Sequence, residues 1–237
     1  MALYYAFFVL LFKGYKIKGM RSIDLPSNWL SLHPGVRRKV SESMHIRNKK
    51  ITHRFAQKII KGGKNFRALF DIIQDLLIMP LAIGYYFIGR FFLAKTFIAN
   101  KACTNCNICI NSCPVKAIKE IHNRPFWTYR CESCMRCMNM CPERAIQTCH
   151  GFAFLIFYLT YATLISFIYK ILPDHIMEFI ENGLLKFTLE TIIVLPLYYL
   201  GYYLIHYLMK YSFMDRLISY SSLTFYKFWR RYKALRP

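Results

Sequence analysis

Eight cysteines fall into two copies of one pattern. The stretch CTNCNICINSCP, residues 103–114, returns 28 positions later as CESCMRCMNMCP, residues 131–142. In register, Cys103, Cys106, Cys109 and Cys113 match Cys131, Cys134, Cys137 and Cys141. Pro114 matches Pro142, and Ala117-Ile118 matches Ala145-Ile146. The spacing C-x2-C-x2-C-x3-C-P suits iron–sulfur chemistry. Three cysteines at steps of three wrap one corner of a four-iron cube, and the cysteine before proline ligates the neighbouring cube. The wiring expected is therefore interlaced: Cys103, Cys106, Cys109 and Cys141 hold one 4Fe–4S cluster, and Cys131, Cys134, Cys137 and Cys113 hold the other. Each proline turns the chain away after a crossing ligand, because proline fixes φ and removes a donor. With every iron bound to a thiolate, no position is open to substrate and no catalytic residue is expected.

Other uses of these residues fit less well. Structural zinc takes four ligands, usually from paired C-x2-C knuckles, and would leave four cysteines idle. Disulfides need an oxidising compartment. The opening MALYYAFFVLLF lacks the basic start and small-residue cleavage site of a secretory signal. Clusters serving only as staples for a small domain are the more serious alternative. Two thiolate-saturated cubes in series nevertheless read as a short electron wire. Asn107 and Met135 follow the second cysteine of each motif, at a tight corner that favours positive φ. Asn accepts that conformation more comfortably than Met. Cys149 stands outside the repeat and reads as a free buried thiol. The seven histidines form no ligand spacing, and His206, inside an apolar run, is expected to bond a neighbouring helix.

The elements around the repeat point to a membrane. The chain has 237 residues, 55% of them apolar, with a formal charge of +21, which argues against disorder. The charge is distributed in blocks: 14 basic and 2 acidic side chains in residues 13–64, 7 and 3 in 101–150, 2 and 4 in 170–190, and 7 and 1 from Lys210 onward. Alternation of this kind suits a membrane protein better than a nucleic-acid binder. Residues 151–169 and 191–209 are each 19 residues long, uncharged apart from His206, and match the length of a membrane helix. Their basic flanks place the cysteine domain and tail in the cytoplasm and the acidic 170–190 loop outside. The run 76–89 is short for a span and broken by Pro80 and Gly84, so a buried or interfacial helix is expected there. Tyr198, Tyr199, Tyr202, Tyr203, Tyr207 and Tyr211 suit either an interfacial belt or helix packing. In the tail, Phe225, Phe228 and Trp229 beside Lys227, Arg230, Arg231 and Lys233 suit a helix on anionic headgroups.

The doubled motif resembles that of bacterial-type ferredoxins carrying two 4Fe–4S clusters, over residues 101–147. The resemblance implies an α+β, pseudo-symmetric unit of short hairpins and two short helices, with KAIKEI and RAIQTC as its helix-to-strand exits. Upstream, KGYKIKGMRSIDLPSNW, a basic helical stretch and FFLAKTFIANKACTNCNIC are similar to ferredoxins fused behind a flavodoxin-like domain, here truncated. That likeness implies that residues 13–30 hold the last flavodoxin strand. The phosphate loop that binds flavin mononucleotide is missing, so FMN is not expected. The expected organisation is a flavodoxin-like remnant (1–40), a basic helical linker (41–100), the dicluster domain (101–150), a transmembrane hairpin (151–209) and a basic amphipathic tail (210–237). The expected function is membrane-anchored electron transfer between a redox protein donor and acceptor, in contact with membrane lipid and without nucleic acid. The alternatives are an electron-transfer subunit of a membrane oxidoreductase, or a non-redox, cluster-stapled interaction module.

Overall fold

Three of the chain's helical runs are long and apolar enough to cross a membrane: Arg67–Ala94, His150–Ile171 and Leu185–Leu208. They belong to a computed structural model that describes residues 2–171, 173 and 183–231. Most of the acidic 170–190 loop, and residues 232–237 of the tail, lie outside the described residues. The chain divides into two units, Met1–Ser27 with Gly35–Gly89, and Asn28–Pro34 with Arg90–Pro237.

The first unit is helical. Ala2–Phe12 and Arg38–Ile60 are α-helices. Residues 13–30 contain no strand, contrary to what the flavodoxin likeness implies. Only one parallel bridge forms, between Gly19 and Asn65. Gly19 is required there, because a Cβ would stand 2.6 Å from the Asn65 carbonyl oxygen. Phe55 and Ile59 of the basic helix pack toward this point, whereas Ile46 and Ile60 are exposed. The expected apolar stripe is thus only half used.

The helix through Pro80 does not break. Ile72–Gly84 runs into a π-helical turn, Tyr85–Gly89, and then Arg90–Ala94. Hardly any of its apolar stretch is covered by protein. The full run reaches spanning length once the residues before Leu76 join it.

The second unit carries two small antiparallel sheets. Strand β1 (Phe97–Ala99) pairs with β4 (Ile146–Thr148), with Ile98 opposite Gln147. Strand β2 (Ile118–Ile121) pairs with β3 (Arg124–Trp127) across His122-Asn123. Both turn residues have positive φ, 55° and 56°, which matches the twist of a two-residue hairpin. KAIKEI and RAIQTC thus lead into β2 and β4. Between the strands lie two short helices, Ile108–Asn111 and Arg136–Met140.

The core joins this domain to the apolar helices. Ile98 and Phe126 from the strands cluster with Cys149, Phe152, Tyr198, Tyr202, Met209 and Ile218. Tyr202 is fully buried; its hydroxyl donates to the Phe97 carbonyl at 3.1 Å and accepts from the Trp127 N–H at 3.2 Å. The inner tyrosines therefore pack on the cysteine domain, while Tyr203, Tyr207 and Tyr211 stay exposed. His206 likewise packs on the domain, against Phe126 and His122. The helix His150–Ile171, with a π-helical turn at Thr160–Ile165, packs on Gly183–Leu208. Gly201 faces Phe152 and Ile156, where a side chain would meet both within 3.2 Å, and Tyr169 donates to Glu190 at 2.8 Å. Small residues permit such close approach between apolar helices.

The tail departs from the expected lipid-surface helix. Ser212–Tyr220 is helical, but residues 223–229 form two short 3₁₀ turns that dock on β4. Ser222 donates to the Thr148 carbonyl at 2.6 Å, and the Thr148 N–H donates to Thr224 at 2.9 Å. Trp229 is buried and its indole donates to the Leu30 carbonyl at 2.5 Å. Side chains thus cover the free edge of a two-stranded ribbon. Leu30 itself is completely buried. Leu30→Ala should destabilise the protein by about 2–5 kcal/mol, the usual range for emptying such a site, read as a lowered midpoint of unfolding in detergent.

Candidate metal centre

The eight repeat cysteines gather around the ends of the two short helices. Each loop enters its helix through a left-handed residue, Asn107 with φ 56° and Met135 with φ 56°. Two further pairs at the same offset of 28 share the conformation: Asn105 and Ser133 (54° and 49°), and Lys116 and Arg144 (49° and 51°). Successive left-handed corners curl each loop tightly and turn backbone N–H groups toward sulfur. The Ala117 N–H donates to Cys113 Sγ at 3.3 Å, and the Ala145 N–H donates to Cys141 Sγ at 3.3 Å. The Ser133 N–H donates to Cys131 Sγ at 3.4 Å.

The sulfurs meet across the repeat. One pocket is lined by Cys103, Cys106, Cys109 and Cys141, together with Pro125, Pro142 and Ile146. Cys113, the fourth cysteine of the first copy, is not among the residues that line it. Cys113 instead acts electrostatically on Cys131, as does Cys134. Cys137 is influenced by Cys131, Cys109 and Cys134. Cys141 of the second copy thus joins three cysteines of the first around one pocket.

The buried thiols Cys103, Cys109, Cys131 and Cys137 resist ionisation. Burial pushes Cys109 up to about 11, and Cys103, Cys141 and Cys106 push the same way. Burial pushes Cys131 up to about 11 as well, opposed by the Ser133 N–H. Cys103 and Cys137 are also raised, first by burial, with the Trp127 indole drawing Cys137 down. Gathered thiolates become stable when a bound metal supplies the opposite charge. Sulfurs on one zinc ion, each about 2.3 Å from the metal, crowd to within about 4 Å of one another. Among the described residues, no group of three or more His, Cys, Asp or Glu side chains is arranged to hold a single metal ion. The soft, thiolate-only donor set spread around a cavity fits a larger iron–sulfur group.

Cys149 takes no part. It is buried in the core, where burial pushes its thiol up to about 11, as expected for a free structural cysteine. The spacing gave no sign of the segment Asn28–Pro34, which packs on the second loop. Asn28 donates to the Cys134 carbonyl at 2.9 Å, and the Ser31 N–H and hydroxyl approach Met135 Sδ at 3.4 and 3.3 Å. Its only signal in the sequence is the apolar pair Trp29-Leu30 between Pro26 and Pro34.

Residues 102–146 match the family model of a 4Fe–4S dicluster domain. No curated protein and no solved structure matches the chain. The matched region, together with the cavity and its thiols, supports a ferredoxin-like iron–sulfur domain. Fusion to a flavodoxin-like domain is not shown.

The two left-handed corners respond differently to glycine. Asn107 is exposed and already tolerates its φ, so Asn107→Gly should change stability by no more than about 0.5 kcal/mol. Met135 is 1% exposed. Met135→Gly should destabilise by about 1–3 kcal/mol, since the packing loss of about 2–5 exceeds the relieved strain of about 1–2. Denaturant unfolding of the detergent-solubilised chain measures both.

Proposed function

We propose that the chain is a membrane-anchored electron carrier with two 4Fe–4S clusters. The observation that carries this reading is the cavity lined by three cysteines of the first copy and the last cysteine of the second. In this reading Cys103, Cys106, Cys109 and Cys141 hold one cluster, and Cys131, Cys134, Cys137 and Cys113 hold the other. The repeat forms a pseudo-symmetric unit. Each bound cluster supplies one-electron transfer at thiolate-saturated iron. The protein's own residues ionise as thiolates, orient backbone N–H groups at sulfur, and keep the junction of Cys109 and Cys137 dry, so that the two centres lie in series.

The two C-terminal apolar runs of spanning length support an anchor in the cytoplasmic membrane, as a hairpin with the basic domain facing the cytoplasm; the run Arg67–Ala94 then lies at the interface, which keeps the basic block 13–64 on the same side. Redox proteins would then serve as donor and acceptor, membrane lipid would surround the helices, and neither FMN nor nucleic acid would be needed. A role as the electron-transfer subunit of a larger membrane oxidoreductase uses the same ligands. Purification of the chain alone or only within a complex separates the two.

Membranes prepared anaerobically should contain about eight iron and eight acid-labile sulfide per chain, as two four-iron cubes require. Four of each, or zinc, would overturn the dicluster assignment. Cys113→Ser should perturb the spectrum of the cluster held by the second copy and leave that of the first copy intact; the reverse pattern would sink the interlaced wiring.

A further inference from the structure

Lys95 follows the Arg90–Ala94 helix and is only 3% exposed. Its ammonium donates to the Trp127 carbonyl. Four rings surround it: Phe126 at 5.2 Å, Tyr129 at 4.7 Å, Tyr199 at 4.9 Å and Tyr202 at 5.0 Å. Among the described residues, no carboxylate stands within ion-pairing reach of it. Aromatic faces attract a cation but carry no net charge, and a buried charge without a partner is costly. The missing anion lies on the cysteine side. The Cys131 N–H donates to the Thr128 carbonyl at 3.2 Å, one residue along from the carbonyl that Lys95 holds. Burial draws the Lys95 ammonium down to about 8, and Cys131 draws it back up.

The first copy has a cation of its own in Arg124, but it is matched; the partly buried Arg231 acts on Cys141 and on Cys137, one cysteine of each proposed centre, and so does not distinguish them. Arg124 reaches the Ala99 carbonyl at 2.6 Å and pairs with Asp215 at 2.5 Å, where Asp215 is 1% exposed. Asp215 also accepts from the Lys101 N–H at 3.3 Å, two residues before Cys103. The guanidinium charge acting on Cys103 is therefore largely cancelled by a buried carboxylate.

We infer that Lys95 is the counter-charge of the centre built on Cys131, Cys134, Cys137 and Cys113, and that it holds the reduction potential of that centre above that of its twin. The inference rests on the dicluster reading. Accepting one electron takes a thiolate-saturated cube from a formal charge of −2 to about −3 and requires no proton. An unpaired ammonium stabilises the more negative state more than an ion pair does. Tyr199 and Tyr202 belong to the Gly183–Leu208 helix, so an electron delivered to the pair settles on the side packed against that apolar helix.

The test is a redox titration of the full chain in membranes, with dithionite as reductant and the two cluster signals followed separately by electron paramagnetic resonance. Cys106→Ser marks which signal belongs to the first copy. Lys95→Met should move only the second copy's midpoint, toward more negative potential, and Lys95→Arg should restore most of the shift. Asp215→Asn, which leaves the Arg124 charge unmatched, should raise only the first copy's midpoint. Lys95→Gln, which keeps a donor for the Trp127 carbonyl but removes the charge, decides the matter if Lys95→Met fails to assemble. Midpoints that stay fixed, or that move together, overturn the inference while leaving two reducible clusters in place. A wild-type chain without two reducible centres instead removes the dicluster reading on which the inference stands.

Discussion

The cost of ionising buried, gathered thiols is the constraint on which the rest of this structure depends. Cys109 and Cys131 are pushed to about 11 by burial and by neighbouring sulfurs. A chain that must hold such groups as thiolates near neutrality gains stability only when metal arrives, so folding and metal loading are coupled. The left-handed corners and the N–H···S bonds follow from that need. Each directs a backbone dipole at sulfur without adding a side chain to the cavity, so the loops can close tightly around what they bind. Left-handed Asn, Ser, Met, Lys and Arg residues are strained outside glycine, and they persist because the surrounding contacts over-determine the loops.

The domain does not hang from its helices on a flexible tether. Phe152, Tyr198 and Tyr202 come from the apolar helices and lie in the same core as Ile98 and Phe126 of the strands. Tyr202 joins β1 to β3 through its hydroxyl, and the tail closes the edge of β4. A domain of about 50 residues buries too little surface to be stable alone, and here the helix ends supply the missing apolar mass. In the proposed reading, a centre fixed to these apolar helices keeps a constant distance to whatever meets them, which a tethered domain would not.

The sequence made the ligands legible because thiolate spacing is a local property. The strand exits at KAIKEI and RAIQTC, the need for positive φ at Asn107 and Met135, the isolation of Cys149 and the two C-terminal apolar helices were legible for the same reason. Contacts made at long range were not. Nothing in the composition of Trp229 distinguishes a ring lying on lipid from one donating to Leu30 nearly 200 positions earlier. The inner tyrosines carry the composition of an interfacial belt, yet burial on a neighbouring domain satisfies the same amphipathic ring. Residues 13–30 carry strand-like apolar content but find no partner strand in their unit, and isolated β-structure is not stable. Pro80 reads as a break, yet the helix continues through it.

A duplicated motif by itself builds two equal centres, and equal centres give an electron no preferred position. Any difference between them must come from residues that the duplication did not copy. Asn107 is exposed where Met135 is buried beneath Ser31. The strap Asn28–Pro34 reaches only the second loop. Arg124 belongs to the linker between the copies and has a carboxylate partner, whereas Lys95 precedes both copies and has none. Apart from the Asn107/Met135 difference, the asymmetric elements originate outside the repeat: in the N-terminal strap, the β2–β3 hairpin, the helix before β1 and the helix after the apolar runs. Reduction potential depends on local charge, hydrogen bonds to sulfur and access of solvent, and these are the properties that the surrounding segments change. The repeat thus fixes what is bound, and the segments around it determine where charge is most stable.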